Sequence, residues 1–333
     1  MKRKVSRRGR FVVKAVRMST TLPVIGPHIQ DGTLRRKMQE RQAQWKCPAH
    51  LELVSIPQMN YNMEWLCVKK DKAIEKKENF PYAGECVILQ LHGGGYVGSL
   101  YNKHRDMAGL YLEVSGGFSV LSVDYRVAPE HPFPAALEDA YSAYEWLLEQ
   151  GYSAERIFLC GDSAGGGLAL SLCMYLRDHK KDLPAGIVTM SAWTDLTKSG
   201  ESYEENYECD PLFGRSKDTL IYRPDYYEQD RADNPYVSPL LGDFAGFPPM
   251  LMQVGEYEML LSDTLRAAKK AQEQGVEVTC HVYPGMFHVF QYGELLYPEA
   301  KEAWVEAGHF LRDCYKREKG EDGRRHESRQ QGT

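Results

Sequence analysis

From residue 86 onward the chain alternates short apolar runs with longer amphipathic ones, and this alternation limits what it can fold into. The runs 86–91 (CVILQL), 118–124 (FSVLSVD), 156–160 (RIFLC), 186–191 (GIVTMS), 250–254 (MLMQV) and 276–283 (VEVTCHVY) have the length and composition of buried strands. Helices are predicted over 103–115, 135–150, 163–179, 263–274 and 299–315. Gly116-Gly117 ends the first of these, and Pro134 and Gly151 bracket the second. Strand–helix alternation of this kind gives an α/β fold: a mostly parallel sheet covered by helices. Upstream, 51–57 and 63–69 read as a hairpin at the start of the sheet, which makes about eight strands. A chain of 333 residues can bury the core of such a domain without staples.

Two stretches stand outside the alternation. Residues 1–50 precede the sheet, and residues 195–247 interrupt it with a tyrosine- and proline-containing connection. A connection this long is usually functional, as a lid or cap is. The expected organisation is an N-terminal cap segment (1–50), a catalytic domain (51–315) with a cap insertion at 195–247, and a polar, disordered tail (316–333).

Gly161-Asp162-Ser163-Ala164-Gly165 fits G-x-S-x-G at the junction of a predicted strand and a predicted helix. A sharp strand-to-helix turn lifts a serine hydroxyl out of the sheet, and the flanking glycines leave room for the crowded backbone. The helix amides then point at the reacting centre. Ser163 is the expected nucleophile, with Asp162 facing away as a structural neighbour. His92-Gly93-Gly94-Gly95 follows the strand CVILQL. Glycines there let backbone donors approach an oxyanion, so the amides of Gly94 and Gly95, with Gly93 next, and of Ala164 are the expected oxyanion hole. His92 reads as an organiser of that turn. Neither glycine-rich phosphate motif is present.

Motifs of this type order their residues serine, acid, histidine. Downstream of Ser163 lie His179, His281, His288, His309 and His326. Only His288 sits in a loop directly after a strand, in Pro284-Gly285-Met286-Phe287-His288, and it is the expected general base. The acid belongs after the strand MLMQV, where Glu256, Glu258 and Asp263 compete. Asp263 would also serve as a helix N-cap. The residues alone leave the three open.

Together these motifs resemble the hormone-sensitive-lipase branch of the α/β-hydrolase fold, the family IV carboxylesterases. The resemblance spans about residues 50–315. It is carried by HGGGYVGS at 92–99, VDYRVAPEHPFPAALEDA at 123–140, GDSAGGGLA at 161–169 and SAWTDLT at 191–197, where Ala192 replaces a more usual proline. The family's Asp-Pro-Leu triplet falls on Glu258-Met259-Leu260, so the resemblance assigns the acid to Glu258, with the residue changed, and leaves Asp263 a structural part. It implies a helical cap and a small-molecule ester substrate with a short acyl or acetyl group, and it allows a homodimer; no cofactor and no metal are expected. The same triad could serve an amidase or peptidase. A non-catalytic binding protein on this scaffold would be expected to have lost a triad member. Tyr96, Trp193 and the tyrosines of the insertion are candidates for the acyl or alcohol pocket and equally for cap packing.

Composition narrows the partners. Residues 1–30 hold eight basic and no acidic residues, whereas the other 303 carry a net charge of −13. An acidic body excludes a nucleic-acid-binding domain. Phe11-Val12-Val13 is too short an apolar run for a secretory signal. The leader reads as an amphipathic, cap-forming segment whose Val5, Phe11, Val12 and Val16 cover the mouth of the site. A membrane-surface helix and a transit peptide are its other readings. None of the eight cysteines forms a C-x-x-C pair. Their scatter through strands and helices is the usage of a reducing compartment, so a cytoplasmic protein is expected.

Overall fold

The computed structural model describes residues 5–19, 33, 40, 45–69, 86–217, 219–222, 225–227, 231–293 and 296–318. Its strands are β1 (Leu51–Pro57), β2 (Asn62–Val68), β3 (Val87–Leu91), β4 (Ser119–Asp124), β5 (Ile157–Asp162), β6 (Gly186–Met190), β7 (Met250–Gly255) and β8 (Val278–Tyr283). They form one eight-stranded sheet in the order β1-β2-β4-β3-β5-β6-β7-β8. The expected hairpin is β1–β2, and β2 also pairs antiparallel with β4; every other pairing is parallel.

The strands at the centre are buried on both faces, which is why they read as continuous apolar runs. Their alternation still sorts the two layers. Val87, Leu89 and Leu91 of β3 and Ile157 and Leu159 of β5 face one apolar cluster. That cluster takes in α3 (Ala135–Glu149), α4 (Ser163–Asp178) and α6 (Leu261–Glu273). Ile88, Phe158 and Cys160 face the other cluster, covered by α2 (Asn102–Ser115) and α7 (Pro298–Glu318). The edge strands β1 and β8 keep partly exposed faces. All eight cysteines carry free thiols.

Most boundaries shift by one to three residues from the sequence reading, and three of these shifts stand out. The strand expected at 276–283 starts two residues later, at Val278, because Val276 is drawn into the turn that closes α6. The helix expected at 263–274 starts at Leu261. The last helix runs to Glu318, so residues 316–318 of the expected tail are helical, and 319–333 lie outside the described residues.

The N-terminal segment contributes α1 (Arg7–Ser19). Val5, Val12, Val13 and Val16 pack on Tyr283 at the end of β8, on Met286, Phe287 and Phe290 in the segment after it, and on Ala300 and Ala303 of α7. Ser6 is tied to Glu299 through both its amide (2.6 Å) and its hydroxyl (2.9 Å). Phe11, expected on the covering face, is instead 74% exposed. The helical period puts it opposite the valines, and Val13 takes the inward place. The connection from β6 to β7, expected to be a helical cap, is mostly irregular among its described residues, with one short α-helix, α5 (Ser202–Glu205), and 3-10 turns at Leu220–Tyr222 and Pro239–Leu241. Arg17 of α1 donates to its Cys209 carbonyl at 2.7 Å.

Candidate active site

The loops after β3, β5, β6, β7 and β8 all leave the carboxyl edge of the sheet, where α/β proteins gather their chemistry. β5 passes directly into α4 at Ser163, whose φ of 51° is left-handed for a residue with a side chain. Such strain persists only where the surroundings over-determine it. Here they do: a Cβ on Gly165 would sit 2.1 Å from the Leu91 carbonyl oxygen, and one on Gly161 2.3 Å from the Gly165 carbonyl oxygen. Backbone packs on backbone, and the turn has no other shape open to it.

His288 lies in the loop between β8 and α7. Its Nε2 is 2.9 Å from Ser163 Oγ, and its Nδ1 is 3.0 Å from Glu258 Oε2. Glu258 is fully buried, and its Oε1 accepts from the Ser191 hydroxyl at 2.7 Å and from the Gly255 amide. The same Ser191 oxygen accepts the Val289 amide at 3.0 Å, so one hydroxyl braces the acid and the histidine loop together. With Nδ1–H directed at Glu258, Nε2 is left to accept the serine proton.

The competing carboxylates stand elsewhere. Asp263 is buried and accepts the amides of Thr194 and Asp195, both at 2.9 Å, which holds the turn beyond β6. Burial, with Asp195 nearby, pushes its carboxyl well above the usual range. Glu256 accepts the Gly285 amide at 2.8 Å and so ties down the start of the histidine loop. Of the three, Glu258 is the one beside the imidazole.

The glycine loop after β3 is built around two buried groups. The His92 ring stacks on Tyr125 with centroids 4.1 Å apart, and its Nδ1 is 2.7 Å from the Gly93 carbonyl. Burial lowers its pKa to about 4, so it is a neutral prop. Asp162 accepts the Gly93 amide at 3.1 Å and the Tyr292 hydroxyl at 2.8 Å. Burial raises its pKa to about 6, against those hydrogen bonds. Gly93 therefore leaves the expected set of oxyanion donors: its N–H is committed to Asp162, and a Cβ there would lie 2.3 Å from that carboxylate. Among the described residues nothing accepts from the amides of Gly94, Gly95 or Ala164. Two of these follow β3 and one opens α4, on neighbouring strands of the sheet.

Several residues at the site had not been singled out. Asn206 donates to the Glu258 carbonyl at 2.7 Å and to the Glu256 carbonyl at 3.0 Å. Asp210 accepts the amides of Met259, Leu212 and Phe213, and the Phe213 ring stands 4.7 Å from that of His288. Leu220 overlies Gly95. Of the expected pocket candidates, Tyr96 and Tyr226 stack at 3.6 Å, both buried. Ser191 carries a signal as the first residue of SAWTDLT; Asn206, Asp210, Phe213 and Leu220 lie in an irregular connection where spacing says nothing about partners.

An alpha/beta hydrolase fold family model matches residues 88–292. An acetyl-hydrolase of Streptomyces hygroscopicus is 39% identical over 225 residues, covering 68% of this chain and 75% of its own. A solved esterase of the bacterial hormone-sensitive lipase family is 33% identical, with a TM-score of 0.79 over 93% of this chain and 99% of that one. The esterase EstE5, in a crystal soaked with p-nitrophenyl butyrate, is 32% identical with a TM-score of 0.80 over the same shares. The chain belongs to the hormone-sensitive-lipase-like carboxylesterases of the α/β-hydrolase superfamily. It is accordingly a carboxylic ester hydrolase. No helix among the described residues is long and apolar enough to cross a membrane.

Proposed function

We propose that the protein is a serine carboxylesterase that hydrolyses acetyl and other short-chain acyl esters of small molecules, with Ser163, His288 and Glu258 as its triad. The observation that carries this is the unbroken chain from Ser163 Oγ to His288 Nε2 (2.9 Å) and from His288 Nδ1 to Glu258 Oε2 (3.0 Å). As Ser163 Oγ bonds to the ester carbonyl carbon, its proton passes to Nε2 and the carbonyl electron pair moves onto oxygen. The amides of Gly94, Gly95 and Ala164 hold that oxyanion. Collapse of the adduct breaks the bond to the alcohol, which leaves with the proton from Nε2. Water then attacks the acyl-enzyme through the same groups and frees the acid. Glu258 stabilises the imidazolium and fixes the tautomer.

Residues 195–247 and the N-terminal segment form the cap of this reading. The bulk over Gly95 (Leu220) and the stacked Tyr96–Tyr226 pair support a short acyl preference, as does the likeness to a protein named for acetyl hydrolysis. An acyl series of p-nitrophenyl esters from acetate to palmitate tests the proposal. Activity should peak at acetate or butyrate and vanish in Ser163→Ala. A maximum at palmitate overturns the substrate class, and turnover retained in Ser163→Ala overturns the nucleophile.

A further inference from the structure

The two faces of α1 are both used, in different ways. The inward face, Val12, Val13 and Val16, with Val5 just before the helix, is occupied by the loop region that carries His288. The outward face is not what a solvated helix normally presents. Phe11 is 74% exposed and Met18 68% exposed. Seven residues apart, they stand in one row. Arg7 and Lys14, also seven apart, line one side of that row, with Arg10 beyond them, and Arg8 lies on the other side; all four are exposed. Among the described residues none of the four meets an acidic partner. No acidic residue occurs anywhere in residues 1–30, and Lys2, Arg3 and Lys4 add to the same charge.

We propose that this outward face of α1 is a docking surface for an anionic lipid bilayer. The row of Phe11 and Met18 would enter the headgroup layer while the arginines and lysine reach lipid phosphates beside it. Long cationic side chains can do this because their stems lie along apolar surface and their heads stay wet. The charge split gives the choice of partner. The rest of the chain carries a net charge of −13 and is repelled by an anionic leaflet, whereas α1, with four exposed cations and no acidic residue, is drawn to it and so sets which side touches down. Each basic residue near such a leaflet strengthens partition by roughly fivefold. Two modest apolar groups without a lipid chain give reversible binding, of the kind in which charge and insertion must act together. Because the inward face of α1 packs on the loop region of His288, docking would bring that loop close to the interface. The inference stands on the surface of α1 and does not depend on the ester-hydrolase reading.

Co-sedimentation of the full chain with phosphatidylcholine vesicles, with and without phosphatidylglycerol, tests it at low and high salt. Anionic vesicles should bind at least about tenfold more tightly than neutral ones, and salt should release the protein. Charge reversal of the quartet (R7E, R8E, R10E, K14E) and the double variant F11S with M18S should each lose binding. Both should keep wild-type hydrolysis of p-nitrophenyl acetate in vesicle-free buffer, which shows that they fold. F11W with brominated lipid gives a signal that needs no loss: quenching on anionic vesicles supports the proposal. Equal binding to both vesicle types, no binding, or variants that bind like wild type overturn it. So does sedimentation velocity showing a wild-type dimer that these variants dissolve, since the face would then belong to a second copy of the chain.

Discussion

The two halves of the site are built differently. The nucleophile half is backbone against backbone: Ser163 is held at φ 51° by glycines whose missing side chains let α4 press on the end of β3. The base half is loop against loop. His288 and Glu258 are steadied by Ser191, by Asn206 and Asp210 from the β6–β7 connection, and by α1 behind Met286 and Phe287. A perturbation of the peripheral segments should therefore reach the base and acid while leaving the elbow where it is. The nucleophile half has only core changes to fear.

The largest effect should come from Ser163→Ala, which removes the attacking oxygen and should lower kcat on p-nitrophenyl acetate by at least about 10⁴-fold with the melting temperature little changed. Gly165→Ala separates the elbow from its chemistry. Its new Cβ would collide with the Leu91 carbonyl, so it should cost about 3 kcal/mol or more in urea unfolding. A stable Gly165→Ala would mean that the core does not hold the turn.

Next comes the acid. Glu258→Gln should lower kcat by about 10³- to 10⁴-fold, because it leaves the imidazolium without its charge partner and allows the wrong tautomer. Asp263→Asn should cost stability first, since it disturbs the carboxylate that accepts the Thr194 and Asp195 amides, and should keep kcat within about tenfold of wild type. The reverse ranking would move the acid to Asp263.

A smaller effect tests the base half directly. Asp210→Ala strips the acceptor from the buried amides of Met259 and Phe213 and from that of Leu212. It should lower kcat by about tenfold with KM nearly constant, and slow fluorophosphonate labelling of Ser163 in proportion, because labelling also needs His288. Wild-type labelling in a folded Asp210→Ala would show that the histidine and acid stand without the connection.

The same contrast explains what could be read from the sequence. β3, β5 and β6, with the G-x-S-x-G turn, were legible because burial on both faces demands apolar runs and a strand-to-helix elbow demands glycine. His288 was legible by elimination, through its place after a strand. Glu258 was separated from Asp263 and Glu256 only by resemblance, because all three occupy one loop and the direction each side chain takes depends on tertiary contacts. Gly93 read as a free donor and proved to be the partner of Asp162, a long-range contact that no local pattern encodes. Asn206, Asp210 and Phe213 were illegible for the same reason: an irregular connection has no period, and its partners are chosen by three-dimensional closure. Phe11 faces out because the phase of its helix, not its apolar side chain, decides its direction.

The smallest expected effect on turnover lies in the elbow half, at Asp162, and it is read as stability against pH. Its folded-state pKa is raised from 3.8 to about 6, by burial first of all. Between these values the folded protein keeps a proton that the unfolded chain has released, so this group's contribution to stability falls as pH rises from about 4 to about 6 and stays level above. The interval corresponds to roughly 3 kcal/mol. His92 acts in the opposite direction over nearly the same range: its pKa is lowered to about 4, so the protection it gives is present above 6.5 and is lost as pH falls toward 4. The two slopes largely offset each other in the wild type, which should look almost flat there. Asp162→Asn keeps an acceptor for the Gly93 amide and a partner for the Tyr292 hydroxyl but cannot titrate, and so it uncovers the His92 slope. Urea unfolding from pH 4 to 7 should show the variant gaining on the wild type by up to about 3 kcal/mol as pH rises, with kcat at pH 8 within about threefold. Parallel stability curves would mean that Asp162 stays ionised throughout, and a large loss of kcat would give this carboxylate a share in the chemistry rather than in holding Gly93.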